Sequence, residues 1–308
     1  MSKPHIALIG LGLIGSSLGH AFKKYGLTDH ISGYARSPET RARARVLSFV
    51  DAVHDNAAGA ADGADVVFLN VPLSAMAPLA KDIMPVLKSG SILTDVGSVK
   101  QCVMDDILPL LKDGVFLVPG HPIAGTEHSG PDAGFAELFE GRWCILTPPG
   151  ETNLHAVETV ASLWRDIGSE VEFMDARHHD LVLAITSHLP HLIAFNIVGT
   201  AAQLESDTRS AVIKYSASGF RDFTRIAASD PIMWRDIFLE NKEAVLEMLG
   251  RFNEDLVALQ RAIRQSDADH LQNTFSQTRE IRQSVIDAGQ DVDAPNFGRD
   301  LPGKSDAD

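Results

Sequence analysis

The sequence predicts an α/β protein, with a doubly wound parallel sheet over residues 1–174, an all-α region over 175–288 and a disordered tail over 289–308. Three observations predict it. Short apolar runs alternate with helix-compatible stretches through the first half. A Gly-x-Gly-x-x-Gly turn, Gly10 to Gly15, directly follows the first apolar run. From Ala176 to Ile286 helical periodicity continues with almost no strand signal.

The elements follow in order. Ile6–Ile9 reads as a buried strand, and Ser16–Tyr25 as the helix behind the glycine turn. Ile31–Ala35 is the second strand and Glu39–Leu47 the second helix. Val66–Val71 is a strand stopped by Pro72, which cannot donate to a ladder. Helical Met76–Leu87 leads to strand Ile92–Asp95, and helical Cys102–Leu111 to strand Val115–Val118. Arg142–Thr147 and Val171–Met174 are later strands flanking a helix over Leu154–Ile167. Beyond Asp175 the long helices are His179–Leu204, with a kink expected at Pro190, then Pro231–Arg264 and Asp267–Ala288. The tail from Gly289 is rich in Gly, Asp, Pro and Asn.

The chain is acidic, with a formal net charge of -14. Nucleic acid and anionic membrane each demand a basic face, so neither is an expected partner. An anionic small molecule needs only a local basic site. The two cysteines, Cys102 and Cys144, stand in no metal-ligand spacing and read as reduced thiols of a cytoplasmic protein. No signal peptide is expected, and no apolar run approaches the roughly 20 residues that cross a bilayer.

The glycine turn points to a dinucleotide. The first glycine, Gly10, permits the tight turn, and Gly12 lets a pyrophosphate approach the backbone. Gly15 lets the helix sit close to the strand, the helix N-terminus faces the phosphates, and Leu13 and Ile14, between the glycines, count with the cofactor-binding residues. The second strand ends Tyr34-Ala35-Arg36-Ser37, with Ala35 where an acidic residue would bind a ribose 2′-hydroxyl. Arg36 and Ser37 suit a 2′-phosphate, and both NAD and NADP stay open. Further segments sit at strand ends, where ligands bind in open α/β sheets: Asn70-Val71-Pro72, Asp95 to Lys100 around Ser98, and Pro119 to Gly125 around His121. A histidine at such an edge suits proton transfer, and the Ser98 hydroxyl suits orienting a substrate hydroxyl beside it. In the helical region His179, Ser187, His188 and His191 are polar residues at helical spacing, and His178 adjoins them. No acidic partner stands at metal-ligand spacing, so no metal is expected. Arg221 and Arg225 near Gly219 suit a carboxylate clamp.

Five segments in this order and spacing resemble the prephenate/arogenate (cyclohexadienyl) dehydrogenase family of tyrosine biosynthesis. They are Gly10–Gly15, Asp95–Lys100, Gly120–Gly125, Ser187–His191 and Gly219–Ala227. The resemblance spans residues 5 to 286. It implies a Rossmann-like first domain and a helical second domain that builds a homodimer. It implies oxidative decarboxylation of prephenate or arogenate with NAD or NADP, giving 4-hydroxyphenylpyruvate or tyrosine. It assigns His121 as acceptor of the ring hydroxyl's proton and Ser98 as its hydrogen-bonding partner. It assigns Arg225 to a substrate carboxylate, and His179, Ser187, His188, His191 and Trp234 to the substrate site. Arg221 stands where other members can carry lysine and is assigned no direct role. No regulatory domain is expected after the helical region, and no chorismate mutase segment before the first strand.

Two other readings compete. One is a different two-domain dehydrogenase of the β-hydroxyacid type, which would place a lysine base on the first long helix. No lysine occurs between Asp175 and Gln203, which weighs against it. The other is a regulator that binds NAD(P) without turnover.

Overall fold

A computed structural model describes residues 3–126, 128–203 and 218–287. The expected tail over 289–308 lies outside them, as do Leu204 and Ala288, where two expected helices end. Two compact units are distinguished, Met1–Met248 and Leu249–Asp308.

The first unit is built on a six-stranded parallel sheet in the order β3-β2-β1-β4-β5-β6. Its strands are β1 (His5–Ile9), β2 (His30–Tyr34), β3 (Ala52–His54), β4 (Val66–Leu69), β5 (Ile92–Asp95) and β6 (Phe116–Val118). The helices between them are α1 (Leu13–Lys24), α2 (Pro38–Leu47), α3 (Ala57–Ala61), α4 (Leu73–Ile83) and α5 (Gln101–Ile107). Period-two alternation puts the side chains of β1 into two cores. Ile6 and Leu8 pack with Leu18, Phe22 and Trp164. Ala7 and Ile9 pack with Ala80, Ile83, Val103 and Ile107. Burying side chains of this size contributes about 1.5–3 kcal/mol each, so both faces need their helices.

The sequence reading differs from this in several places. Helix α1 starts at Leu13, three residues before the expected Ser16, because Gly12 already serves as its N-cap. The stretch after α2 holds β3 and α3, neither of which was expected. The strand expected to reach Val71 stops at Leu69. The later strands do not extend the main sheet. β8 (Trp143–Leu146) and β9 (Glu170–Phe173) join β7 (Gly120–Pro122) in a separate three-stranded sheet. β7 pairs antiparallel to β8, with His121 opposite Ile145. The Gly-His-Pro segment is therefore a strand, held from its neighbour's side, rather than a loop. Helix α6 (Leu154–Asp166) carries Trp164, whose ring meets Phe139 edge-on at 5.2 Å.

The expected helix His179–Leu204 is two helices, α7 (Ala176–Leu183) and α8 (Leu189–Ala202), joined by a π turn at Ala184–His188. Pro190 falls in the first turn of α8, where the α-helical ladder is already interrupted and its missing N–H costs little. This run, Ala176–Ala202, contains an 18-residue window of mean hydropathy 1.7. By length and composition it could span a bilayer, which corrects the reading that no apolar run approaches that length. Gly219 lies inside α9 (Ser218–Thr224) rather than at a turn. The expected helix Pro231–Arg264 breaks at Asn241 into α10 (Pro231–Glu240) and α11 (Lys242–Gln265).

The second unit comprises the rest of α11, from Leu249, and α12 (Ala268–Asp287). Leu256, Val257, Ile263, Phe275 and Ile281 are exposed there.

Candidate active site

The carboxyl ends of β1, β4, β5 and β6 carry, in turn, the glycine turn, Asn70-Val71-Pro72, the Ser98 loop and the His121 strand. Parallel pairing brings these ends to one edge, the edge at which open α/β sheets bind ligands.

The three glycines separate by what a side chain would meet. Gly10 has φ +106°, and a Cβ there would lie 2.1 Å from the Asn70 carbonyl oxygen. A Cβ on Gly15 would lie 2.0 Å from the Gly10 carbonyl oxygen. Gly12 has nothing within 4 Å of that position and no side chain caps α1 behind it. Open space before the uncapped N–H groups of Leu13 and Ile14 is the environment a diphosphate requires. These residues fit a dinucleotide. Substituting Gly12 by Val is expected to leave the melting temperature unchanged, because its φ of -81° suits any residue. The dinucleotide Kd, read by titration, should rise at least about tenfold. An unchanged Kd would remove the pyrophosphate from this turn.

At the end of β2, Arg36 is exposed. Ser37 caps α2 by accepting from Thr40 N at 3.2 Å, and its hydroxyl donates to Glu39. Arg41 donates to the carbonyls of Ala35 at 2.8 Å and Arg36 at 3.0 Å, bracing this corner. Val71 is half-buried, and Pro72 is the exposed N-cap of α4.

Beneath the Ser98 loop lies a buried ion pair. Lys100 Nζ pairs with Asp95 Oδ2, and neither side chain has exposed surface. Lys100 Nζ also donates to the Gly120 carbonyl at 2.7 Å, and Asp95 accepts from Gly97 N at 2.7 Å. One pair thus fastens the loop that carries Ser98 to the strand that carries His121. Ser98 itself is half-buried.

His121 is 8% exposed. Its Nδ1 lies 2.9 Å from His179 Nε2, and His179 Nδ1 lies 2.8 Å from Asp180 Oδ1. The Asp180 carboxylate also accepts from Lys100 N at 2.7 Å and Gln101 N at 2.9 Å. Burial, then the nearby His179 and Lys100, hold the His121 imidazole well below its ordinary value. Burial also lowers His179, against the opposing pull of Asp180.

Asn241 Nδ2 donates to the Asp180 carbonyl at 2.8 Å and lies 3.1 Å from His188 Nδ1. Burial pushes His188 down to about 4. His191 Nδ1 donates to the Ser187 carbonyl at 2.9 Å, across the π turn. The His191 ring stacks on Trp234 at 3.7 Å between centroids. Trp234 packs with Val99, which follows Ser98 directly. His188 Nε2 and Trp234 Nε1 are buried and have no partner among the described residues. Burial chiefly lowers the His191 imidazole, the bond to Ser187 opposes it, and the exposed Arg225 adds to the lowering.

The structure therefore brings His121, His179 and Asp180 into one chain of contacts, and His191 and Trp234 into a second. His179 and His188 have no exposed surface, unlike the half-buried Ser187 and His191. The sequence reading missed Asp180 and Asn241, and it named Asp95 only as the start of the Ser98 segment, without a role. Asp180 had a signal in its place beside His179, and Asp95 in its place as the lone charge ending an apolar strand. Asn241 had none. No group of three or more metal-ligating side chains occurs among the described residues.

Two family models match the chain. The prephenate dehydrogenase nucleotide-binding domain covers residues 18–173, and the prephenate dehydrogenase dimerization domain covers residues 175–277. The cyclohexadienyl dehydrogenase of Zymomonas mobilis is 45% identical over 281 residues, covering 91% of this chain and 96% of that relative. The prephenate dehydrogenase of Bacillus subtilis is 33% identical, covering 92% of this chain and 76% of that relative. A crystal structure of Aquifex aeolicus prephenate dehydrogenase, in complex with hydroxyphenyl propionate and NAD+, matches with a TM-score of 0.86 and 34% identity. That match covers 92% of this chain and 99% of the other.

Proposed function

Since the chain belongs to the prephenate dehydrogenase family, we propose that it oxidatively decarboxylates a cyclohexadienol carboxylate, prephenate or arogenate, with His121 as general base. The observation that carries the role of His121 is the buried contact chain from Asp180 through His179 to that imidazole, on the strand that Lys100 ties to the Ser98 loop.

Gly10, Gly12, Leu13, Ile14 and Gly15 would hold the pyrophosphate, and Val71, Pro72 and Ser98 the nicotinamide side. Arg36 and Ser37 stand at the adenosine ribose. A bound nicotinamide dinucleotide supplies a hydride acceptor. His121, kept neutral by its surroundings, accepts the proton of the substrate's ring hydroxyl. Ser98 Oγ orients that hydroxyl. The carbon bearing it becomes a carbonyl conjugated to the carbon that bears the ring carboxylate. Carbon dioxide then leaves, and the electron pair left in the ring restores aromaticity.

Arg225 supplies a guanidinium for a substrate carboxylate, and Ser187, His188, His191 and Trp234 shape the pocket around the ring. Substituting Arg225 by Ala should raise KM about 10–100-fold with little change in kcat, since a charge-assisted pair is lost. Steady-state kinetics with an unchanged KM would count against the clamp.

The activity is tested by initial rates with prephenate and arogenate against NAD and NADP. Reduction of either cofactor by either substrate supports the reading. No reduction in any combination refutes it.

A homodimer is the second part of the proposal. Leu181, Ile185, Ile197 and Val198 on the Ala176–Ala202 run are each at least 38% exposed, within the residues matched by the dimerization model. A second copy would cover them. Light scattering that returns the 33.3 kDa of one chain would remove it.

A further inference from the structure

We propose that His179 and Asp180 are positioning residues that fix the tautomer of His121, so that its Nε2 lone pair is the atom that takes the substrate's proton. The inference rests on the reading of His121 as the base.

Donors and acceptors decide where each proton sits. A carboxylate only accepts, so the proton between Asp180 Oδ1 and His179 belongs to His179 Nδ1. A neutral imidazole carries one proton, which leaves His179 Nε2 as an acceptor. The contact at 2.9 Å then requires His121 Nδ1 to be the donor. His121 Nε2 is left with its lone pair and with no partner among the described residues. Histidine without such restraint can place the proton on either nitrogen, and the Nε2–H form cannot act as a base at that atom.

Asp180 is itself held. Its two oxygens accept from the backbone of Lys100 and Gln101, and its carbonyl accepts from Asn241. The charged and titratable groups around this chain are Lys100 and Asp95 below the Ser98 loop, His188 on the π turn and Cys144 on β8. The same carboxylate thus sets the base and caps the segment that follows Ser98. The arrangement is the logic of the Ser-His-Asp triad with a second imidazole in place of the serine.

The test is the tautomer itself, read from the ¹⁵N shifts of the histidine side chains in the labelled full-length protein. His121→Asn assigns the signal by deleting it. In the wild type at pH 7.5 the expected result is a protonated Nδ1 and an unprotonated Nε2. A protonated Nε2 overturns the proposal, and only the assigning variant, His121→Asn, need fold for that decision. In His179→Phe, His121 should shift toward the Nε2–H form, and kcat should fall about 100-fold with KM within threefold. An unmoved tautomer or an unmoved kcat in that variant also overturns it. Loss of the general-base reading is separately visible, because His121→Asn would then keep its turnover whatever tautomer the wild type shows.

Discussion

Substituting His121 by Asn is expected to lower kcat by about 10²–10⁴-fold while KM stays within a few-fold, because a positioned base acts only as the proton moves. Asn keeps a polar group at β7 but cannot take up the proton. Near-normal turnover in steady-state assays would remove His121 from the chemistry. The pH profile follows from the same residue. Burial, with His179 and Lys100 close by, holds His121 well below its ordinary value of 6.5. The base stays neutral at pH 6.5, so the acid limb of the kcat profile should lie below that pH.

Stability depends on the proton in the same direction. A buried imidazole with a depressed value is uncharged when folded and gains a proton on unfolding, so acid favours the unfolded chain. For His188, pushed down to about 4, the stabilisation is complete above pH 6.5 and is lost as pH falls from 6.5 toward 4. That loss is about 3 kcal/mol.

Lys100→Met should be the most destabilising of the single changes, at about 3–5 kcal/mol, because it strands the Asp95 carboxylate without exposed surface or counter-charge. Methionine matches the length of the lysine stem, so packing is not the cause. Asp95 would keep only the N–H groups of Gly97 and Gly120. The midpoint of thermal unfolding should fall by roughly 10 °C. Adding Asp95→Asn should recover part of the loss, since the uncompensated charge goes with it. A single variant as stable as the parent would mean that the pair contributes nothing to folding.

The glycine turn was legible because its pattern is local. Each of Gly10, Gly12 and Gly15 sits in the backbone environment its spacing implies. β1 and β4, at the middle of the main sheet, were legible for the same reason, as both are continuous apolar runs buried on both faces. β7 was not legible. Gly120, His121 and Pro122 have little strand propensity, and their pairing with Trp143–Leu146 is made across some 20 residues of intervening chain. β3 spans three residues, too few for a period to register. Among the site residues, His121 and Ser98 stood out by motif. What they rest on did not. The Asp95–Lys100 pair and the contacts of Asp180 depend on which segments meet in space. The break at Asn241 carries neither Pro nor Gly, and its side chain, spent on Asp180 and His188, gives the reason it is there.

The widened turn at Ala184–His188 accommodates one residue more than a regular helix would. Winding the same residues as uninterrupted α-helix would pass that surplus on to everything beyond it. Every side chain downstream would then swing by about 100° around the axis. His191 would leave the indole of Trp234, and the apolar residues Ile197 and Val198 would turn with it. The phase of this helix, and with it both the aromatic stack and the outward-facing stripe, is kept because the widened turn absorbs that one residue.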